Sequence, residues 1–530
     1  MRPLPCRSIL LCLLLCLLIG TAAALATACG GSTASNPPGA DSGAMDASNA
    51  SNVDTGTPHI DSGVVVDSGV VDDGGACPVV SGSGTQATHG NPPVVSNLGG
   101  PVLHSPTVVT FTFQNTANAA ALQAFGATIG STPWFAEVLS DYTATTSTPT
   151  GLSVAIAANA DATYVDNGGV GVDADAGAGS GTDLNAFINT AIANAVAAKT
   201  IPAPDGNTVY MFYFPSATTI TGFVGQSCQM YGGYHFNQVY VDGKTPIYYA
   251  VLPDCAGGSS YELEAVTVAA SHELAEAASD PAPNTGWSLD TSSYPDAGTT
   301  PIEFRNDPWL SLGYGEIADN CAGTALMLDG GTVVQRIWSN SAATGGHDPC
   351  VPAPTGETYF NASPDKAVYV ANVGDTFTVD VTPFTDVPRS SWQLDAVDYS
   401  QELAANMGGG GASYLQFQWV GGVVRSDGVA SLTCVNSGTQ VQLKVTLLAQ
   451  PVASQTSESV QVWPQAVGAI YSVDLSQQTA TTPGQNTAAF VWPFEVITPA
   501  TAAQIGVGTA GIADMARRRR FWEPVRWQGR

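Results

Sequence analysis

The sequence has few charged residues, and very few basic ones away from its two ends. Only 11% of the 530 residues are charged, with 44 Asp and Glu against 16 Lys and Arg. Eight of the basic residues lie between Cys29 and Ala516. Because binding along a phosphate backbone needs a surface rich in Lys and Arg, this composition excludes nucleic acid as a partner. The acidic excess indicates solubility and weak cation binding, and it does not restrict the fold.

The N-terminus lacks an apolar run long enough to span a bilayer. Ile9–Ile19 is apolar and follows two arginines, a pattern typical of an export signal. The segment Leu25–Cys29 then resembles a bacterial lipobox, in which Cys29 carries the lipid and becomes the mature N-terminus. Ordinary cleavage after Ala24–Ala26 is the alternative. We therefore expect a lipoprotein signal over residues 1–28 and a membrane-anchored, extracytoplasmic protein, either periplasmic or on the cell surface.

Residues 29–76 lack Lys, Arg and aromatic side chains and consist mainly of Asp, Ser, Gly, Ala, Asn and Val. Such a stretch cannot bury enough apolar surface to offset the entropy of ordering its backbone. It is predicted to be a disordered tether.

Strand and helix patterns alternate in residues 77–352. Thr107–Phe113 alternates as a strand does, and the continuous apolar run Thr208–Phe214 suits a strand covered on both faces. Asp183 precedes a stretch of helical periodicity as its N-cap, and Asp242 begins the Asp-Gly turn of a predicted hairpin. These patterns predict an α+β domain with a mixed sheet.

Residues 353–500 show strand patterns only, separated by Gly, Ser and Asn turns. They predict an immunoglobulin-like β-sandwich, and we find no group of catalytic residues in it. Residues 501–530 form a basic tail that holds six of the sixteen Lys and Arg residues. A charged tail of this kind is expected to be solvated, with contact to anionic lipid or polymer as the alternative.

A long helix is predicted at "YELEAVTVAASHELAEAAS", from Tyr261 to Ser279, which contains neither Gly nor Pro. Ser259 and Glu262 have the spacing of a capping box at its start. Pro281 ends the helix, because it disfavours helical backbone at the residue before it.

This helix carries the pattern H-E-x-x-E. His272 and Glu276 are four residues apart, so both can reach one ion from the same helix face, as in H-E-x-x-H zinc hydrolases. Glu273 is then placed to act as the general base that holds the attacking water. A merely polar surface turn of a helix is the alternative. Zinc needs a further protein ligand, for which Glu316 is preferred. The alternatives are Asp319, Asp280 and His235.

Several segments taken together resemble the EXORDIUM-like, or phosphate-induced protein, family of extracytoplasmic proteins. The resemblance covers roughly residues 95 to 352 and depends on six segments in order. They are "GGPVL", "SCQMYGGYH", "IYYAVLPDC", "SHELAEAASDP", "GEIADNC" and "VVQRIWSN". Two positions depart from the usual family pattern, Gly232 and Ala318, and His272, Glu273 and Glu276 are intact. The resemblance implies export, association with the cell wall and a metal site, and it says less about catalysis.

Six cysteines remain once those of the signal and Cys29 are set aside, and an even number in an exported chain indicates disulfides. Sequence alone allows fifteen pairings of six cysteines. Near-neighbour pairing around two loops predicts Cys228–Cys255 and Cys321–Cys350. By elimination, Cys77 then pairs with Cys434.

The sequence thus supports two functional hypotheses. The first is an exported, lipid-anchored zinc metallopeptidase of zincin-like fold that cleaves an extracellular peptide. In this hypothesis, the segment "IYYAVLP" is the sheet edge to which the substrate adds. The second is a non-catalytic surface protein that binds wall polymer and has a structural or vestigial metal site.

Overall fold

A computed structural model describes thirteen segments of the chain, all within one compact unit, residues 46–530. They are residues 87–143, 150–166, 181–222, 225–229, 231–283, 285–289, 309, 315–386, 392–400, 413–426, 428–451, 464–474 and 489–504. The predicted signal, the tether with Cys29, Cys77 and most of the basic tail lie outside these segments.

The first part of the described chain, up to Val351, mixes strands and helices. Its strands are β1 (Ser96–Asn97), β2 (Thr107–Phe113), β3 (Gly151–Ile156), β4 (Thr163–Asp166), β5 (Thr182–Asp183), β6 (Thr208–Phe214), β7 (Thr219–Gly222), β8 (Gly225–Gln226), β9 (Tyr234–Val239), β10 (Pro246–Pro253), β11 (Trp287–Ser288), β12 (Ala325–Met327), β13 (Val333–Gln335), β14 (Ile337–Trp338) and β15 (Cys350–Val351). Its helices are α1 (Ala119–Thr128), α2 (Pro133–Val138), α3 (Leu184–Ala197), α4 (Glu262–Ser279) and α5 (Asn340–Gly345), with 3₁₀ turns at Ile129–Ser131 and Asp319–Cys321.

A five-stranded mixed sheet organises this part, in the order β3-β2-β6-β10-β9. Four strands are parallel, and β9 pairs antiparallel with β10 through the predicted hairpin. The hairpin turns at Gly243, whose φ of 74° a residue with a Cβ rarely adopts. The predicted mixed sheet and its hairpin are confirmed.

Helices cover both faces of the sheet. On one face, α1 and α4 pack against inward side chains such as Val209 and Leu252. On the other, α3 packs against Phe111, Phe212 and their neighbours. The central strand β6 is therefore buried along its whole length, which confirms the prediction made from its continuous apolar run. The Asp183 carboxylate accepts a hydrogen bond from the Ala186 N–H at 2.7 Å, so the predicted N-cap of α3 is also confirmed.

The prediction that "IYYAVLP" forms a sheet edge is wrong. Most of β10 pairs with β6 on one side and with β9 on the other, so its hydrogen-bonding groups are used within the sheet. The edge strand beside it is β9, because the hairpin folds the preceding segment back onto β10. This edge strand carries His235.

The second part of the described chain is built of strands until a terminal helix. The strands are β16 (Phe360–Pro364), β17 (Val368–Val370), β18 (Thr376–Thr385), β19 (Trp392–Asp398), β20 (Leu415–Trp419), β21 (Val423–Val424), β22 (Ala430–Val435), β23 (Val441–Leu447), β24 (Gln465–Val473) and β25 (Ala489–Ile497), followed by α6 (Pro499–Gln504). They form two sheets, β16-β18-β23-β20 and β17-β25-β24-β19-β22-β21. Inward side chains of both sheets share one core, so this part is sandwich-like, as predicted in its coarse form.

The two parts contact each other through apolar and polar side chains. Trp309 of the first part meets Trp492 of β25 edge to face, with ring centroids 5.5 Å apart. Arg336 of the first part pairs with Glu357, which precedes β16, at 3.2 Å, and it also pairs with Asp348. Among the described helices, none is both long and apolar enough to cross a membrane.

Candidate metal centre

Helix α4 forms where the sequence predicts it, from Glu262 to Ser279, with Asp280 as the C-cap before Pro281. Its start differs from the predicted capping box, because Tyr261 and not Ser259 is the N-cap. The Glu262 carboxylate accepts the backbone N–H of Gly258 at 2.6 Å instead. Gly258 has a φ of +77°, a conformation that carries the chain through a turn before the helix begins.

The residues of the H-E-x-x-E pattern are buried, so the alternative interpretation, a polar turn on the helix surface, is wrong. His272 is 2% exposed, and Glu273 and Glu276 are each 0% exposed. The helix contacts β9, β10 and β13. Ionisable side chains are rarely buried to this extent unless they are paired or bind a metal, because removing a charge from water is costly.

His272, Glu276 and Asp319 bring candidate metal-ligand atoms together, and we call such a set a donor group. His272 Nε2 lies 3.2 Å from Glu276 Oε2 and 3.7 Å from Asp319 Oδ1. Together the three residues place one donor atom each within 4.8 Å of one another. Asp319 is the last residue of the "GEIAD" segment and the first of the 3₁₀ turn Asp319–Cys321.

Hydrogen bonds fix the orientation of the His272 and Glu276 side chains in this group. His272 Nδ1 lies 2.9 Å from Gln335 Oε1, while Gln335 Nε2 donates to the Ala318 carbonyl at 2.7 Å. Because Oε1 can only accept, His272 carries its proton on Nδ1 and presents the Nε2 lone pair to the carboxylates. Glu276 Oε1 accepts the N–H groups of Ala318 and Asp319, each at 3.0 Å, which leaves Oε2 directed at His272.

A second group forms around His235 of the edge strand β9. Its Nδ1 lies 3.5 Å from Glu273 Oε2 and 3.7 Å from Glu276 Oε2, and these three residues also place donor atoms within 4.8 Å of one another. Burial lowers the pKa of His235, although the neighbouring Glu276 carboxylate acts in the opposite direction. Gly233 makes room for this group, since a Cβ there would lie 2.6 Å from Glu273 Oε1.

The other two candidate ligands lie beside these groups. Glu316, the preferred third ligand, places Oε2 at 3.6 Å from His235 Nε2 and belongs to neither group of three. Asp280 accepts the N–H groups of Thr285 and Gly286 through Oδ1, at 3.1 and 2.6 Å, so its carboxylate holds the turn after α4. Asp319 and His235, named as alternatives, are the residues brought into the groups. Which of the four binds a metal remains a prediction.

The donor spacing suits a zinc ion better than direct hydrogen bonds. A charged N–H···O hydrogen bond is about 2.7–2.9 Å long, whereas the four nitrogen-to-oxygen distances in the two groups run from 3.2 to 3.7 Å. Around a tetrahedral zinc ion with bonds of about 2.0–2.1 Å, neighbouring donors are about 3.3 Å apart. Imidazole nitrogens and carboxylate oxygens are also accepted zinc ligands. The residues present therefore fit such an ion.

Both predicted local disulfides are confirmed. Cys228–Cys255 links the segment before β9 to the segment after β10, and Cys321–Cys350 links the 3₁₀ turn that carries Asp319 to β15. Cys434 is also disulfide-bonded, while its predicted partner, Cys77, lies outside the described residues.

Sequence reasoning missed Gln335, the residue that orients His272. It lies 63 positions beyond His272 and is contributed by β13. It stands inside "VVQRIWSN", where a polar residue follows two valines that are buried in the fold. A polar residue at this point of an apolar run is the sequence feature that could have indicated a role for Gln335.

No model of a known protein family matches the chain, and comparison with curated proteins yields no match either. Among solved structures, a crystal structure of beta-glucosidase from Listeria innocua aligns at 9% identity, covering 76% of this chain and 48% of that chain, with a TM-score of 0.15. The same enzyme in complex with isofagomine aligns at 8% identity with the same coverage and TM-score. The chain thus spans about half the length of the solved structures it matches. At so low a TM-score, the likeness carries no argument about fold or function.

Proposed function

We propose that this protein is an exported zinc-dependent hydrolase that acts on peptide bonds. The observation that carries the proposal is the buried pair of donor groups around His272 and His235, in which each imidazole nitrogen lies 3.2–3.7 Å from two carboxylate oxygens. In this proposal the first part is a zincin-like domain that resembles EXORDIUM-like proteins, and the second is an immunoglobulin-like module. Cys29 anchors the chain to a bacterial membrane by its lipid, on the periplasmic or the outer side.

The primary ion is held by His272, Glu276 and Asp319. Asp319 takes the place first expected for Glu316, because it lies in the same group as His272 and Glu276. When bound, zinc would supply Lewis-acid polarisation of a carbonyl group and lower the pKa of water. Gln335 Oε1 accepts a hydrogen bond from the Nδ1–H group of His272 and so keeps the Nε2 lone pair directed at the ion position.

Glu273 is the general base of the proposed reaction. It follows His272 on α4 and lies in the neighbouring donor group, with Oε2 directed toward His235. A carboxylate in this position can take the proton of an attacking water and later pass it to the leaving amine. The edge strand β9 lies beside it, so an extended peptide adding to this edge would pass the base.

A non-catalytic protein that binds wall polymer, with a structural metal, is the second candidate. One observation favours it: His235, His272 and Glu273 are all at most 5% exposed, whereas a substrate must reach a catalytic group. The side chains of Asp319 and Glu316 are more open, at 14% and 11%, and they mark where a substrate would enter.

Metal analysis of the purified protein tests the shared part of both candidates. Parent protein and His272→Ala are dialysed against a zinc buffer, and bound zinc is measured. We expect at least one tightly held equivalent in the parent and its loss in the variant. A parent without zinc would refute the metal centre in both forms, whereas a parent with zinc that cleaves no member of a broad peptide library would leave only the second candidate.

A further inference from the structure

The group around His235 has the features of a metal position of its own. Its Nε2 lies 2.9 Å from the Asp280 carbonyl, which can only accept, so Nε2 carries the proton. In the neutral ring Nδ1 then presents a lone pair, and it does so toward carboxylate oxygens of Glu273 and Glu276 at 3.5 and 3.7 Å. His235 is 5% exposed, and its Nδ1 has no hydrogen-bond partner among the described residues. A cation is the natural occupant between these three atoms, because their lone pairs face one another.

The position of Glu276 places this group next to the primary ion. Its Oε1 is occupied by the N–H groups of Ala318 and Asp319, so both imidazoles face the same atom, Oε2. An oxygen that bridges two ions holds them about 3.5–4 Å apart, the spacing of known two-metal sites. The shared atom therefore allows two ions at neighbouring positions.

We infer that His235, Glu273 and Glu276 form a second, weaker position for a divalent cation, an inference that rests on the proposed function. One imidazole and two carboxylates suit zinc or a similar divalent transition metal. The second ion binds more weakly because it is repelled by the first and shares one of its ligands. Its binding also engages Glu273 Oε2, so zinc beyond the first equivalent withdraws the general base from the reaction.

Zinc stoichiometry tests this position without requiring any activity. The full-length protein is stripped of metal and titrated with zinc chloride in equilibrium dialysis. We compare the parent with His235→Gln and Glu273→Gln, and we use His104→Ala as the control for zinc held by an exposed histidine. We expect two equivalents of different affinity in the parent and in the control, and only the tighter one in the other two variants. Glu273→Gln serves as a second probe because it keeps the shape of the side chain even if His235→Gln fails to fold.

The outcomes separate this inference from the proposed function. One equivalent in the parent that persists in both variants would overturn the second position and leave the primary centre intact. Two equivalents in both variants would place the second ion elsewhere and overturn the assignment. A single zinc equivalent in the parent that is lost in His235→Gln would place the bound ion at the His235 group. That result would overturn both the primary centre at His272 and the second position. A parent that binds no zinc would overturn both.

Discussion

Glu273 and Glu276 lie three residues apart on one buried helix, and exchanging each for glutamine is expected to have different effects. Alanine is unsuitable at position 276, because Glu276 Oε1 accepts two backbone N–H groups at 3.0 Å. Leaving both buried and unsatisfied would cost about 1–3 kcal/mol each, which is a large share of a typical stability of about 5–15 kcal/mol. Glutamine keeps the accepting oxygen and replaces only Oε2, the atom 3.2 Å from His272 Nε2.

In Glu276→Gln the new amide nitrogen points a hydrogen at the lone pair of His272. This removes one ligand and blocks another, so the variant should fold but lose tightly bound zinc. Zinc at about a thousand times its Kd stabilises a folded protein by about 4 kcal/mol, so a chelator should destabilise the parent and leave Glu276→Gln unchanged. Glu273→Gln should keep the tight equivalent. Its hydrolysis should fall by about 10²–10⁴-fold, the usual effect of removing an acid–base group.

Zinc content, urea unfolding with and without chelator, and hydrolysis of a peptide library are measured on the parent and on both variants. The assigned roles are wrong if Glu276→Gln retains the tight equivalent. They are also wrong if Glu273→Gln hydrolyses peptides as fast as the parent. If both positions belonged to a merely structural polar cluster, the two variants would differ from the parent in stability alone.

Three further predictions concern the surroundings of the site. Gln335→Leu should weaken zinc binding about 10–100-fold, as expected when the hydrogen-bond partner of a metal-binding histidine is lost. Gln335→Glu can still accept the hydrogen bond from His272 Nδ1–H, so it should weaken zinc binding less. Competition with a chromogenic chelator measures both variants, and Gln393→Leu in β19 is the control for the loss of a buried amide. Thiol titration of the unreduced, unfolded protein should find no reactive thiol at the four cysteines of the two local disulfides, and peptide mapping that finds a free one would contradict the pairing. Burial, together with the nearby Glu262 carboxylate, raises the pKa of Asp254 to about 6, so this carboxyl holds its proton in the folded state to a higher pH than in the unfolded chain. Ionisation of Asp254 between about pH 4 and pH 6 therefore lowers the stability of the parent, and Asp254→Asn should become more stable relative to the parent as the pH rises through this window. Urea unfolding of both proteins at pH 4.5 and 7.5 measures this change. A difference in unfolding free energy that is the same at both pH values would refute the prediction.

Local patterns predicted the elements that carry the site. Helix α4 could be predicted because a stretch without Gly or Pro and the Pro281 that ends it are neighbours in sequence. The strand β6 was found because a strand covered on both faces must be apolar throughout. In both cases the deciding residues are neighbours in sequence.

Long-range pairing explains what the sequence could not reveal. Whether β10 lies inside the sheet depends on its pairing with β6, which lies more than thirty residues upstream. The residues of β10 alone do not indicate that pairing. The same holds for His235 and Asp319, which the sequence offers only as alternatives and which join Glu276 from the strand β9 and from the 3₁₀ turn. The predicted capping box is wrong for a different reason: the Ser259 N–H donates to the Ala256 carbonyl, and Glu262 accepts the N–H of Gly258.

The Cys321–Cys350 disulfide has a consequence for when the proposed metal centre can form. Asp319 lies in the same 3₁₀ turn as Cys321, so one of the donor groups is tethered through this bond to β15. In a compartment that keeps thiols reduced, the turn lacks its covalent tie, and Asp319 is held by weaker contacts alone. A newly made chain would therefore bind zinc poorly before its cysteines are oxidised. In the proposed exported protein, the ion would come from the compartment where the protein works, and the metal content of that compartment would decide which metal is bound.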